Sequence, residues 1–301
     1  MHRATEADLK KIYEMIPYAD VLDTGFSRVT VNGWFPLYDA VVCVTDEYAL
    51  MVGTRGDEVF AMSPLATNHE AYIGAVHEYE KQGLYSVRGA NAWQAELLSG
   101  AGYEVKLDED ASEYLYIPED IIELKGQKYH AKRNFINRFE PEYVFRPYTP
   151  ADYDGLIELL CMWSYRHIDN GIRFCEQEGW IKYKSLDKVE VDDEIIVLDK
   201  VVKDLSGFNC FADVLEIDGK IAGFAAGEIM PNNIGCLYFE KGNIDYRGIY
   251  PLLDNLFCKE HFGTVRYINK QEDMGIEGLR KSKQSYHPAR MAERYTAVKN
   301  K

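Results

Sequence analysis

Apolar residues recur along this chain with two different periods, and the switches between them mark its elements. Residues 3–16 carry apolar positions every three or four residues and predict a helix. Segments 40–45 and 48–53 read as a hairpin across Asp46-Glu47, and 58–62 predicts a further strand. Helical spacing returns over 69–82 and stops at Gly83, a residue that readily takes the left-handed conformation closing a helix. A short strand at 85–87, a helix over 90–99 ended near Gly100 and Gly102, and a strand at 113–117 close the first half.

The second half runs through a similar order. A strand over 143–148 leads into a helix over 150–164, with Thr149 placed as its N-cap and Asp152 in its first turn. An acidic, helix-rich insert is expected over 176–206. Segments 211–217, 221–228 and 234–239 predict an antiparallel meander, its first turn formed by Asp218-Gly219-Lys220. A helix over 246–261, a strand over 265–269, a helix over 276–285 and a strand at 295–298 complete the chain. Strands interleaved with helices in two successive runs predict an α+β (mixed α/β) protein of two halves. The expected division is 1–124, a basic bridging helix over 125–140, and 141–301. No sequence repeat links the halves, so duplication rests on element order alone.

Length and composition fit that picture. The 301 residues suffice for two domains, and 47% hydrophobic with 13% aromatic residues can fill two cores. The longest apolar runs fall far short of the roughly 20 residues a membrane helix needs. The charged start reads as a helix and not as a secretory signal. Six cysteines stand singly with no paired spacing, which predicts reduced thiols in a cytoplasmic protein and no metal site.

Charge alters the reading more. The net charge is −15, yet residues 125–148 hold 6 bases against 2 acids and residues 266–301 hold 9 against 4. An acidic body with two basic islands is unsuited to coating duplex DNA, whose affinity comes from many phosphate contacts. It can hold one compact anion or a short phosphate stretch. On a helical wheel Lys125, Lys128 and Lys132 share the stripe of Tyr129, Phe135 and Phe139, which predicts a pocket-lining face. In the second island Asp273 is placed to cap a helix whose Ile276, Leu279, Arg280 and Lys283 share one face, aiming both cations inward. Tyr286 and His287 follow, the histidine more simply a packed residue than a catalyst.

Glu240-Lys241 ends a strand that reads as buried, where a carboxylate needs a reason. Pairing with Lys241, Arg247 or Arg280 is one; action as a general base or amine ligand is the other. The stretch from Tyr246 to Tyr250 before a helix is a weak phosphate-loop candidate with a single glycine. Walker, dinucleotide-fingerprint, zinc-hydrolase and serine-hydrolase motifs do not occur in the sequence, which leaves those classes without an anchor.

Three segments carry a resemblance: GQKYHAKRNFINRF, YFEKGNIDYRGIY and RYINKQEDMGIEGLRKSKQSYHP. They resemble the soluble bacterial family similar to the C-terminal domain of phosphatidylglycerol lysyltransferase. The resemblance implies two tandem GNAT-type acyltransferase domains, related to transferases that take an amino acid from aminoacyl-tRNA. It implies Lys128, Lys132, Arg133 and Asn134 as a basic inter-domain motif. It also places Glu240, Lys241, Arg247, Asn269, Glu272, Asp273, Arg280, Lys283, Tyr286 and His287 in the C-terminal motifs.

The expected reaction is acyl or aminoacyl transfer, with Glu240 or Asp273 as base and the cations holding donor phosphates or the oxyanion. The expected donor is an aminoacyl-tRNA contacted at its 3′ end, and the acceptor is a small molecule or lipid headgroup. A coenzyme A-dependent acyltransferase fed by acetyl-coenzyme A, and a non-catalytic module binding a small ligand, are the alternatives.

Overall fold

The computed structural model describes residues 1–167, 175–177, 180–182 and 189–300. Part of the expected acidic insert over 176–206 lies outside the described residues. The elements, in order, begin with α1 (Glu6–Met15), β1 (Val41–Val44), β2 (Tyr48–Arg55), β3 (Glu58–Ala66), α2 (His69–Lys81), β4 (Ser86–Ala90), α3 (Ala92–Gly100), β5 (Glu104–Leu107) and β6 (Glu113–Tyr116). Then come α4 (Pro118–Glu123), α5 (His130–Asn137), β7 (Val144–Pro147), α6 (Tyr153–His167), β8 (Cys175–Gln177), β9 (Trp180–Lys182) and α7 (Val189–Lys203). The last are β10 (Phe211–Ile217), β11 (Lys220–Ile229), β12 (Ile234–Gly242), α8 (Ile249–His261), β13 (Tyr267–Asn269), α9 (Glu277–Gln284), β14 (Arg290–Ala292) and β15 (Tyr295–Val298). Among the described residues no helix is long and apolar enough to cross a membrane.

The chain forms two compact units, one of Met1–Ile117, Ile229–Cys236 and Arg266–Lys301, the other of Pro118–Glu228 and Leu237–Val265. The expected division at 124 and 140 follows the chain; the units do not, because strand pairing returns the C-terminus to the first unit. There β1, β2 and β3 form an antiparallel meander, α2 crosses over, and β4 runs parallel to β3. The final strand β15 then inserts between β4 and β5, antiparallel to both. In the same unit β6 pairs with both β13 and β14. The two strands expected to close their own halves thus each complete the other run of elements.

Burial shows why these segments fold as they do. In the first unit Leu50, Ala61, Tyr72, Tyr79, Val87, Leu98 and Ala297 form one core. The Tyr79 hydroxyl donates to the carbonyls of Met51 and Met62 and accepts from the Met51 amide at 2.8 Å, which keeps a fully buried phenol satisfied. In the second unit β7, β10, β11 and the later part of β12 lie side by side in that order reversed along the sheet. Phe224, Phe239 and, from α8, Leu253 and Phe257 are fully buried. Strand β11 is buried from Ile221 to Glu228, and its run without charge from Ile221 to Gly227 suits a strand covered on both faces.

Candidate functional site

In the second unit the chemistry gathers where β12 ends. Strand pairing buries the backbone there, so Glu240 and Lys241 are carried inward by the strand and not by a loop. The Lys241 side chain is 5% exposed; its ammonium pairs with Glu194 of α7 at 2.7 Å and lies 3.9 Å from the ring centre of Trp163 of α6. Trp163 Nε1 donates to the Tyr250 hydroxyl at 3.0 Å. Tyr250 stands in the first turn of α8, and burial, then the charge of Glu240, pushes its pKa up to about 12. A phenol so placed stays protonated at neutral pH and has a proton to give. Lys241 answers to Glu194, so of the pairing partners expected for Glu240 this lysine is already committed.

Gly248, at φ +95°, caps α8 on its N-terminal side, and a Cβ there would sit 3.0 Å from the Phe135 carbonyl oxygen. Glycine is required at that turn because side chains rarely adopt the conformation and none would fit. The Ile249 amide donates to the Tyr246 carbonyl at 3.0 Å, so the loop spends one amide on itself, against its reading as an open phosphate loop. Arg247 lies over the Phe135 ring at 5.5 Å.

The basic middle segment differs from its wheel. Residues 125–139 were expected as one helix with lysines on the buried face; a short turn at Gln127–Tyr129 precedes α5, and α5 has no buried residue. Lys125 and Lys128 are exposed, paired with Glu123 and, at 3.0 Å, with Asp120. Arg133 donates to the carbonyls of Leu124 and Gly126, and Asn134 Nδ2 meets His130 Nε2 at 2.9 Å. Lys132 is half-buried. The wheel misled because a period reports a stripe, and only packing decides whether the stripe is covered.

The first unit holds the other expected residues. Asp273, 1% exposed, accepts from Arg280 Nε at 2.8 Å and Nη2 at 2.9 Å, from the Tyr114 hydroxyl at 2.5 Å and from the Gly275 amide at 2.9 Å. The Arg280 guanidinium, ahead of the other bonds, holds this carboxyl down at about 2. Such an acid is a poor base near neutral pH and a good anchor. Arg280 also reaches Asp110 at 2.6 Å. Asp273 was expected as the cap of the helix, but Ile276 holds the cap position of α9. Lys283 is aimed inward as expected, donating to the carbonyls of Lys270, at 2.6 Å, and Glu272; burial lowers its pKa to about 8. Tyr286 is buried edge-on to Tyr116, and His287 follows with φ +52°.

Asn269 belongs to a buried polar cluster that sequence reasoning missed. Its side-chain amide donates to the Leu22 carbonyl at 2.9 Å and to Glu113 at 2.6 Å. Glu113, fully buried, also accepts from the Thr24 amide and hydroxyl, each at 2.9 Å, and from Arg294 at 3.0 Å. Burial dominates and pushes Glu113 up to about 7, opposed by the Arg294 charge. The only signal for Glu113 was an acid at the head of an apolar strand, and nothing in the sequence tied it to Arg294. Trp163, Glu194 and Tyr250 were likewise missed as site residues.

Residues 34–298 match the family model described as phosphatidylglycerol lysyltransferase, C-terminal. A conserved protein of unknown function from Bacteroides thetaiotaomicron shares 25% identity over 99% of this chain and 98% of its own, with a TM-score of 0.84. L-PGS from Bacillus licheniformis is similar at 15% identity over 99% and 93% of the two chains, TM-score 0.65. A tandem GNAT protein from the clavulanic acid biosynthesis pathway is similar at 9% identity over 100% and 98%, TM-score 0.52, a likeness of fold. An uncharacterised protein of Mycoplasmoides gallisepticum is 25% identical over 200 residues; the match takes in 64% of this chain and 58% of that protein's length.

Proposed function

This chain belongs to the phosphatidylglycerol lysyltransferase C-terminal family, with its mixed α/β, GNAT-like acyltransferase fold, and we propose that it transfers an aminoacyl group from an aminoacyl-tRNA-type donor to an amine or hydroxyl acceptor. The observation that carries the reading is the nearness of Glu240 to Tyr250 at the end of β12: a half-buried carboxylate whose charge helps raise the pKa of a half-buried, protonated phenol. Glu240 takes the proton of the attacking nitrogen or oxygen as it adds to the donor's ester carbonyl. The carbon–oxygen bond to the donor's terminal ribose then breaks, and Tyr250 gives its proton to the departing oxygen. Solvent returns the proton from Glu240 to Tyr250, leaving an aminoacylated acceptor and a free ribose hydroxyl. Trp163 donates to the Tyr250 oxygen, which leaves the Tyr250 O–H as the donor in this step.

Lys241 is a positioning residue here, fixed by Glu194 and Trp163 and fixing the strand end in turn. To the donor's terminal phosphates this reading assigns Lys128, Lys132, Arg133 and Arg247, with Asn134, all of the second unit. Asn269, Arg280, Lys283, Tyr286 and His287, with Asp273, belong to the first unit, where Asp273 anchors Arg280 more readily than it accepts a substrate proton.

Filter binding of charged and uncharged tRNA at two salt concentrations, beside thermal shifts with acetyl-coenzyme A, tests the donor. Salt-sensitive tRNA binding weakened by Lys132→Ala supports the reading. Stabilisation by acetyl-coenzyme A without tRNA binding replaces it with the coenzyme A alternative. With a donor in hand, Glu240→Gln and Tyr250→Phe should each slow transfer about 100-fold while the fold is kept. No response to either donor leaves a ligand-binding module.

A further inference from the structure

Among the described residues, the end of β12 offers an incoming nucleophile carboxylates and no stronger base. Glu240 lies on the strand, and Glu194 of α7 stands 2.7 Å from the Lys241 ammonium. That ammonium also meets the Trp163 ring at 3.9 Å, so its nitrogen is spent on the scaffold. Tyr250 keeps its proton and serves as the acid. The histidines of the second unit with described side chains are His130 and His261, and both are engaged elsewhere. His130 Nε2 meets Asn134 Nδ2 at 2.9 Å on α5, and His261 pairs with Asp213 at the far end of α8 from Tyr250.

The strength of the base decides between acceptors. A hydroxyl is about as weak an acid as water, with a pKa near 16, and its transfer needs a base better matched than a carboxylate, such as an imidazole. An amine brings its own lone pair. Its nitrogen attacks the ester carbonyl as the free base, and only the adduct, now carrying a positive nitrogen, has a proton to lose. A carboxylate takes that proton readily. Local charge points the same way. Glu194, Glu240 and Lys241 meet at the strand end, and the loop to α8 adds Asp245 and Arg247, so acids outnumber bases. The bases assigned to the donor are neutralised by its phosphates when it binds. Burial first, then the charges of Glu240 and of Glu194, hold the proton on Tyr250. An amine travels mostly as an ammonium ion, which this negative field concentrates, and an alcohol gains nothing from it.

We infer that the acceptor is an aliphatic amine and the product an amide. This rests on the transfer reading of the same site. In the step the carbon–nitrogen bond forms and the ester carbon–oxygen bond breaks. The proton of the adduct passes to Glu240 and on to solvent, and Tyr250 supplies the proton of the departing ribose oxygen.

Aminohexanol tests it, because it carries both nucleophiles too far apart for easy acyl migration between them. The donor is tRNA charged with radiolabelled amino acids, and the whole chain is the catalyst. Mild alkali cleaves an ester product and spares an amide, and a reaction without the chain subtracts uncatalysed aminolysis. Amide should exceed ester about a hundredfold, the size of one general-base contribution. The rate should rise with pH through the ionisation of the acceptor nitrogen, and the rise should move to lower pH with trifluoroethylamine, a weaker base. A peptide bearing one lysine, run in parallel, tells a polypeptide amine from a free one; faster amide formation on either supports the inference. Ester in excess over amide, or a pH profile indifferent to the amine used, overturns the inference and leaves the transfer reading standing. No product of either kind overturns both.

Discussion

Arg280→Ala should destabilise the protein by about 1–2 kcal/mol near neutral pH, and the loss should run through Asp273. The structure sets the magnitude. Asp273 is held at about 2 against an ordinary value of 3.8, with the Arg280 guanidinium as the leading cause. Nearly two pK units correspond to about 2.5 kcal/mol of preference for the charged form. Arg280 is one-third exposed, and solvent screening of that partner reduces the share it supplies to about 1–2 kcal/mol. Because the folded pKa lies below the unfolded one, this stabilisation is complete above about pH 4 and disappears as the pH falls through 2.

Urea unfolding of wild type, Arg280→Ala, Asp273→Asn and the double variant at pH 7 closes a cycle. The expected coupling is about 1–2 kcal/mol at constant m-value. Additivity of the two substitutions within about 0.5 kcal/mol would refute the anchoring role. So would an Arg280→Ala cost that stays the same at pH 7 and at pH 3.

Glu113 predicts the opposite pH dependence: its folded pKa is raised to about 7, so its contribution is intact below about 4.5 and is lost as pH rises through 7. Glu113→Gln should flatten that fall in stability between pH 5 and 8, read by urea midpoints; a slope matching wild type would count against it. Gly248→Ala should cost about 1–3 kcal/mol, since it adds a Cβ beside the Phe135 carbonyl at φ +95°. An unchanged thermal midpoint would contradict the close approach described there.

Local pattern determined much of this protein. The meander of β10, β11 and β12, the helices α2 and α8, and the Thr149–Asp152 capping box all follow from periodicity and turn chemistry acting over a few residues. The strand pattern likewise placed Glu240 and Lys241 at a strand end. What only the tertiary structure decided lies at long range. That β15 joins the first sheet and β6 pairs with β13 cannot be read from either strand, because a four-residue strand carries a pattern but no address. Glu113 meets Arg294 across 181 positions, and Lys241 meets Glu194 and Trp163 from different helices. A charged residue's role is set by which opposite charge or ring reaches it once solvent is removed. Residue type and spacing leave that open, so Lys125 and Lys128 look like Lys283 on a helical wheel. Packing alone left the first two in water and set the third, half-buried, against the carbonyls of Lys270 and Glu272.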